Sequence, residues 1–260
     1  MTLRLSTGIR NGILQGRGIA SMLNRGYIKI FSGAQPANAD AAETGTNLGI
    51  VTASSGTLTK ETRATGSITL TTGSSGSINT VTVGGLNIIP DGAVSYNTSL
   101  AQTASDLCDA INRNGIMEAS VSSLTVTIKG RPGTGVTTAA VSGTVTTLGT
   151  PTYVNMGSGV AGVAPVNGLI LGVPASGVLA KPSTQIWSFN GIAAGTAGWF
   201  RFYSSDTADS GAVLSGEPWY PRIDGSVGVS GADLNLSNIV IAVPAPSTID
   251  TFSFTMPATP

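Results

Sequence analysis

Histidine is missing from all 260 residues, and Cys108 is the only cysteine. The first absence removes the commonest general base and the commonest metal ligand, so Ser-His-Asp, Cys-His and zinc chemistries are excluded. The second leaves no intrachain disulfide and no CxxC motif, which rules out a disulfide-stapled scaffold. Charge is scarce as well: 10% of residues are charged, and 13 Lys+Arg balance 13 Asp+Glu. That balance gives no broad electrostatic footprint for nucleic acid or anionic lipid. No apolar run reaches the ~18 residues of a membrane span. A targeting segment is not expected either. The chain before Asp40 holds Arg4, Arg10, Arg17, Arg25 and Lys29, but glycines and arginines interrupt every candidate hydrophobic region. The basic start is therefore expected to be a solvated or partner-facing helical segment.

What is present supports folding, since 41% of residues are apolar and no strong net charge opposes collapse. A surface of Gly, Ser, Thr and Ala with net charge near zero favours association, and suits a protein packed against neighbours. Ser6 or Thr7 can cap a short helix with Ile9, Ile13 and Leu14 on one face. Ile19, Met22 and Leu23 repeat the spacing before Gly26. The first strand is then expected at "YIKIF", Tyr27 to Phe31, ended by the turn residues Gly33 and Pro36.

From Ser67 the chain alternates Thr and Ser with Val and Ile, and Gly84-Gly85 between two such runs predicts a tight hairpin. A helix is expected from about Ser99 to Asn114. Leu100, Ala104, Leu107, Cys108 and Ile111 form its apolar stripe, and Gly115 is its stop. Cys108 on that stripe is expected to be a small buried hydrophobe rather than a reactive thiol. "SSLTVTIKG" then resumes the alternation, with Leu124, Val126 and Ile128 facing one way.

After Pro165, "TQIWSF", "GWFRFY", "ADLNL", "NIVIAV" and "IDTFSFTM" are strand-like runs at the spacing of a β-sandwich or barrel. "GWFRFY" places Phe200 and Phe202 on one face and Trp199, Arg201 and Tyr203 on the other. A strand apolar on both faces belongs at the centre of a sheet or under another layer. A sugar-binding shelf made by Trp199 and Tyr203 is the alternative. The expected fold is mainly β, with a short N-terminal helical segment. Residues 1–64 and 164–260 form a split β-sandwich-like domain, and residues 65–163 form an inserted β-rich module with a helix near 99–114.

Local candidates for chemistry are few. Asp106 and Asp109 are i, i+3 on the polar side of the expected helix, where solvated charge belongs. Asp206 and Asp209 lie in the polar loop "SSDTADSG", which has weak potential for calcium but lacks the EF-hand pattern. "GRPGTGVTT" has no Gly-Lys-Ser/Thr ending and is expected to be a hairpin turn rather than a P-loop. Without an evident base for any hydroxyl, no catalytic, metal-ligating or cofactor-binding residue is assigned, and an enzyme is not expected.

The stretches "MTLRLSTGIRNGIL", "GYIKIFSGAQPANADAAETGT", "GWFRFY" and "PRIDGSVGVSGADLNLSNIVIAVPAPSTIDTFSFTMPA" resemble a family of small virion-associated proteins of tailed bacteriophages. They cover about half of the chain from its two ends inward. The segment from about Thr65 to Val163, with "TASDLCDAINRN", resembles β-rich modules of phage tail, fibre and baseplate proteins. The resemblance implies a non-enzymatic virion component, present as a homo-oligomer among other capsid, neck or tail proteins and located in the virion. It transfers no catalytic residues. A host-glycan-binding adhesion module is the second expectation, with Trp199, Tyr203, Trp219 and Tyr220 as its candidate rings. "EPWYPR" would display the last two rigidly, unless the rings pack inward at a strand-connecting corner.

Overall fold

Short β-branched runs, cut at close intervals by glycine, proline and asparagine, leave little room for long elements, so strands of two to nine residues dominate. The computed structural model describes residues 3–133, 137–206, 212 and 220–256. The chain divides into two compact units. One comprises Met1–Leu14, Gly18–Lys60 and Pro165–Pro260, and the other Gln15–Arg17 and Glu61–Ala164.

The first unit opens with β1 (Arg4–Leu5), α1 (Thr7–Leu14) and the single turn α2 (Ile19–Met22). Two short helices do precede "YIKIF", but a two-residue strand comes before them. The expected apolar face of α1 is not the one it buries. Gly8, Ile9 and Gly12 are buried, whereas Ile13 is exposed and Leu14 is 86% exposed. Close approach explains the difference: a Cβ on Gly8 would lie 2.8 Å from the Tyr220 backbone, and one on Gly12 2.1 Å from the Met22 sulfur. Bare backbone makes the contact that a larger side chain would prevent. β2 (Tyr27–Ser32) and β3 (Asn47–Ala53) follow as an antiparallel pair, with Ile28 opposite Val51.

The second unit contains β4 (Thr65–Thr69), β5 (Ser77–Val83), β6 (Leu86–Asn87), β7 (Val94–Ser95), α3 (Leu100–Arg113), β8 (Glu118–Ser122), β9 (Thr125–Lys129), β10 (Val141–Thr146) and β11 (Thr152–Val154). Two antiparallel sheets result, β11-β4-β9-β8 and β10-β5-β6, with β7 also paired to β5. Gly84 and Gly85 join β5 to β6 with φ of 59° and 82°, the left-handed pair that a type I′ hairpin turn requires. The alternating sequence separates two jobs. Ile68, Val81, Val126 and Ile128 fill the core, while outer hydroxyls pair across strands, Thr80 with Thr144 and Thr82 with Ser142 at 2.8 Å.

Helix α3 begins where Ser99 Oγ accepts the Gln102 N–H at 3.1 Å, and ends before Gly115 at φ 65°. Its stripe of Ala104, Leu107, Cys108 and Ile111 enters the core. Buried Asn112 ties it to β8, donating to Ala119 O at 2.9 Å and accepting the Ala119 N–H at 2.8 Å. The hairpin turn expected at "GRPGTGVTT" is corrected, because the strands before and after it, β9 and β10, belong to different sheets and do not pair; residues 134–136 of the stretch lie outside the described residues.

The chain returns to the first unit with β12 (Val178–Ala180), β13 (Trp187–Asn190), β14 (Gly195–Tyr203), β15 (Arg222–Gly228), β16 (Leu234–Asn235), β17 (Val240–Ile241), β18 (Pro246–Ile249) and β19 (Ser253–Thr255). A nine-stranded sheet runs β1-β15-β14-β2-β3-β13-β18, with β16 added parallel to β15 and β17 antiparallel to β14. β12 and β19 form a separate ribbon. Phe252, beside that ribbon, packs on Trp187, Phe200 and Phe202 at centroid distances of 5.4, 5.6 and 6.0 Å. Phe252 and Phe254 thus help cover one face of the large sheet, and the fold is mainly β and sandwich-like.

Candidate functional site

β14 lies between β15 and β2, so Trp199 to Tyr203 have cross-strand neighbours on both sides. Phe200 and Phe202 enter the hydrophobic core with Ile28, Ile30 and Ile223. On the opposite face Trp199 stacks on Phe31 at 4.3 Å and Tyr203 on Tyr27 at 4.9 Å, nearly parallel in both cases. Both rings have no solvent exposure. The glycan shelf expected as an alternative at Trp199 and Tyr203 is therefore corrected, because a sugar needs an accessible ring face. Trp219 lies outside the described residues, and Tyr220 is half-buried.

The same face carries a buried row of charge. Register places Arg4 opposite Asp224, Asp224 opposite Arg201, and Arg201 opposite Lys29. Arg201 donates from Nε to Asp224 Oδ1 at 2.6 Å and from Nη2 to Oδ2 at 2.7 Å, a bidentate pair excluded from water on both sides. Its third nitrogen donates to Ala41 O at 2.8 Å, and its guanidinium lies 5.4 Å from the Trp199 ring centroid. Lys29 Nζ donates to Glu43 at 2.9 Å, the Tyr203 hydroxyl donates to the same carboxylate, and Arg4 donates to Pro36 O. The connection between β2 and β3, bearing Pro36, Ala41 and Glu43, thereby supplies acceptors to this face.

These surroundings shape the titration of the groups. Burial alone would push the Arg201 guanidinium down, but hydrogen bonds and charge from Asp224 hold it above its ordinary value. Burial, with the Glu43 hydrogen bond, pushes the Tyr203 phenol up. Burial and the neighbouring Arg201 charge push Arg222 down. Asp224 answers Arg201 and Glu43 answers Lys29, and the chemistry of both is that of fixed structural pairs rather than of groups presented to substrate.

The basic N-terminal segment also needs correction. Arg10 and Arg25 are exposed, but Lys29 is buried against Glu43. In the second unit, Arg17 is buried and donates to Glu118 at 2.7 Å, a carboxylate shared with Arg63, and burial lowers the Arg17 pKa. Glu43, Asp224 and Glu118 had no local sequence signal, because each meets its partner only through tertiary pairing.

The remaining candidates do not converge. Asp106 accepts from Asn97 and Gln102 amides at 2.9 Å, while Asp109 is exposed. Asp206 accepts from the Ser204 hydroxyl at 3.0 Å, and Asp209 lies outside the described residues. Among the described residues there is no group of three or more His, Cys, Asp and Glu side chains able to hold a metal ion. None of their helices is long and apolar enough to cross a membrane. Cys108 is buried, and burial together with Asp109 pushes its thiol up to about 11 despite the Asn112 hydrogen bond. In comparison with known proteins, no family model, no curated protein and no solved structure matches the chain.

Proposed function

We propose that this protein is a non-enzymatic structural component of a tailed-bacteriophage virion, acting by assembly in multiple copies with itself and other particle proteins. The observation that carries this reading is an uncharged apolar tip on the first unit. Two neighbouring connections build it, joined by the Gly191 N–H to Ala245 O hydrogen bond and by β14–β17 pairing. Ile192, Val240 and Val243 are 56%, 62% and 55% exposed there, and residues 186–200 and 234–249 contain no charge. Contiguous exposed apolar surface marks interaction sites. The resemblance of the terminal stretches to phage virion proteins supports the same conclusion.

The test is assembly itself. The 26.0 kDa chain is expected to sediment as an oligomer or to co-sediment with purified particles. Val240→Asp and Val243→Asp are expected to weaken that association about tenfold or more, since each buries a charge in the contact. A chain that stays monomeric, binds no particles and is absent from purified virions by mass spectrometry refutes the proposal. Host-glycan adhesion, the second reading, cannot use Trp199 or Tyr203 and requires a solvent-open polar groove. The second unit has one.

A further inference from the structure

We infer that the groove between α3 and the segment from Ile89 to Asn97 is a binding site for a neutral saccharide. This inference rests on the adhesion reading, not on the assembly reading. The groove has a volume of about 420 Å³, within the roughly 300–1,000 Å³ of small-molecule clefts. Asp91, Ser95, Tyr96, Asn97, Asp106 and Arg113 supply its polar lining. On α3, Asp106, Ala110 and Arg113 fall at i, i+4 and i+7 and so present one continuous wall.

The walls are held before any ligand arrives. Ile88, Ile89 and Val94 anchor the segment in the core, and the Gly92 N–H closes a turn on Ile89 O at 3.4 Å. The Asn97 N–H donates to Thr103 Oγ1 at 3.0 Å, and the Tyr96 hydroxyl donates to Thr98 O at 3.1 Å, which fixes the ring. Asp106 is fixed by its two amide donors, one on each oxygen, and each oxygen keeps a further lone pair for a ligand hydroxyl. Such pre-ordering lowers the entropic cost of binding. Asp91 and Arg113 are exposed and make no ion pair among the described residues, so an acceptor and a donor remain available at the groove.

The lining selects among ligand classes. Two carboxylates repel phosphate and other anions, Arg113 opposes a simple cation, and an apolar ligand would leave Asp91, Arg113 and the spare lone pairs of Asp106 unanswered. A ligand with many hydroxyls, each able to donate and accept, satisfies carboxylate, amide and guanidinium together.

The test is titration of the full-length 15N-labelled chain with glucose, galactose, N-acetylglucosamine, maltose and lactose, and separately with inorganic phosphate and calcium. At least one sugar is expected to give saturable shifts at residues 91–97 and 106–113, with half-saturation on the order of 1 mM. Asp91→Ala and Arg113→Ala are each expected to weaken it about tenfold, the effect of one charge-assisted hydrogen bond, with the rest of the spectrum unchanged. Three results overturn the inference: no sugar response at these residues, a response to phosphate or calcium alone, or unchanged sugar binding in both variants. Particle co-sedimentation of the same variants reads the assembly proposal separately, because neither residue belongs to the apolar tip.

Discussion

Removing either member of the Arg201–Asp224 pair should destabilise the first unit strongly, and not equally. Breaking a buried ion pair on one side costs about 3–5 kcal/mol, because the other charge is left without its partner in a dry environment. With Arg201→Met, Asp224 keeps Arg4 as its neighbour on β1 and also feels the charge of Arg222, so the cost should lie near 3 kcal/mol. With Asp224→Asn, Arg201 keeps the Ala41 carbonyl but faces Lys29 in register on β2, which places the cost near 5 kcal/mol. The double substitution should cost less than the sum by about 2 kcal/mol, the coupling expected of contacting residues. Urea unfolding followed by tryptophan fluorescence suits the measurement, since Trp187 and Trp199 are both buried in this unit. At an m-value of about 2–3 kcal/mol/M the midpoints should fall by about 1–2.5 M. Losses below about 1 kcal/mol, the value of exposed pairs, or a larger loss for Arg201→Met than for Asp224→Asn, would refute the account.

Cys108 has a folded-state pKa raised from 9.0 to about 11, so its contribution is intact below pH 9 and lost as pH rises to 11. The loss amounts to up to ~2.7 kcal/mol. Cys108→Ala should flatten that decline in the second unit, and equal declines in both proteins would count against it; native thiol alkylation at neutral pH should be slow. Ser99→Ala removes the acceptor for the Gln102 N–H and should cost about 1 kcal/mol, read as faster hydrogen exchange in the first turn of α3, whereas Ser99→Asp should restore it. Deleting residues 65–163 and joining the ends by a short turn should leave a folded remainder by circular dichroism and protease resistance; an unfolded product would show that the terminal segments do not fold without the insertion.

Local rules made several elements legible. The Ser99 cap, the apolar stripe through Cys108 and the stop at Gly115 act within a few residues of one another, so they delimited α3 closely. Gly84-Gly85 marked its hairpin for the same reason, and the two apolar faces of "GWFRFY" signalled a strand covered on both sides. What was not legible depends on distance along the chain. Lys29 meets Glu43 across 14 residues, Arg201 meets Asp224 across 23, and Arg17 meets Glu118 across 101, so the basic start looked solvated when two of its cations were buried. α1 misled for another reason, since periodicity marks the larger side chains and overlooks a contact made by Gly8 and Gly12. In the groove, Asp106 was visible as one of a helical acid pair, but the partner that matters is Asn97 rather than Asp109.

The buried row across β1, β15, β14 and β2 also bears on how the sheet finds its alignment while folding. Thr, Val and Ile recur so often here that many strands could pair in several offsets at similar apolar gain. A slip of β15 by one residue against β14 would turn Arg222 and Asp224 toward the greasy interior and bring Ile223 among the cations. A slip by two would keep the faces but set Arg222 or Ser226 opposite Arg201, giving like charges or an unanswered guanidinium. Only the observed offset sets Asp224 between Arg4 and Arg201, so the β1–β15–β14 part of the row works as an error check that rejects mispaired strands before the core closes over them.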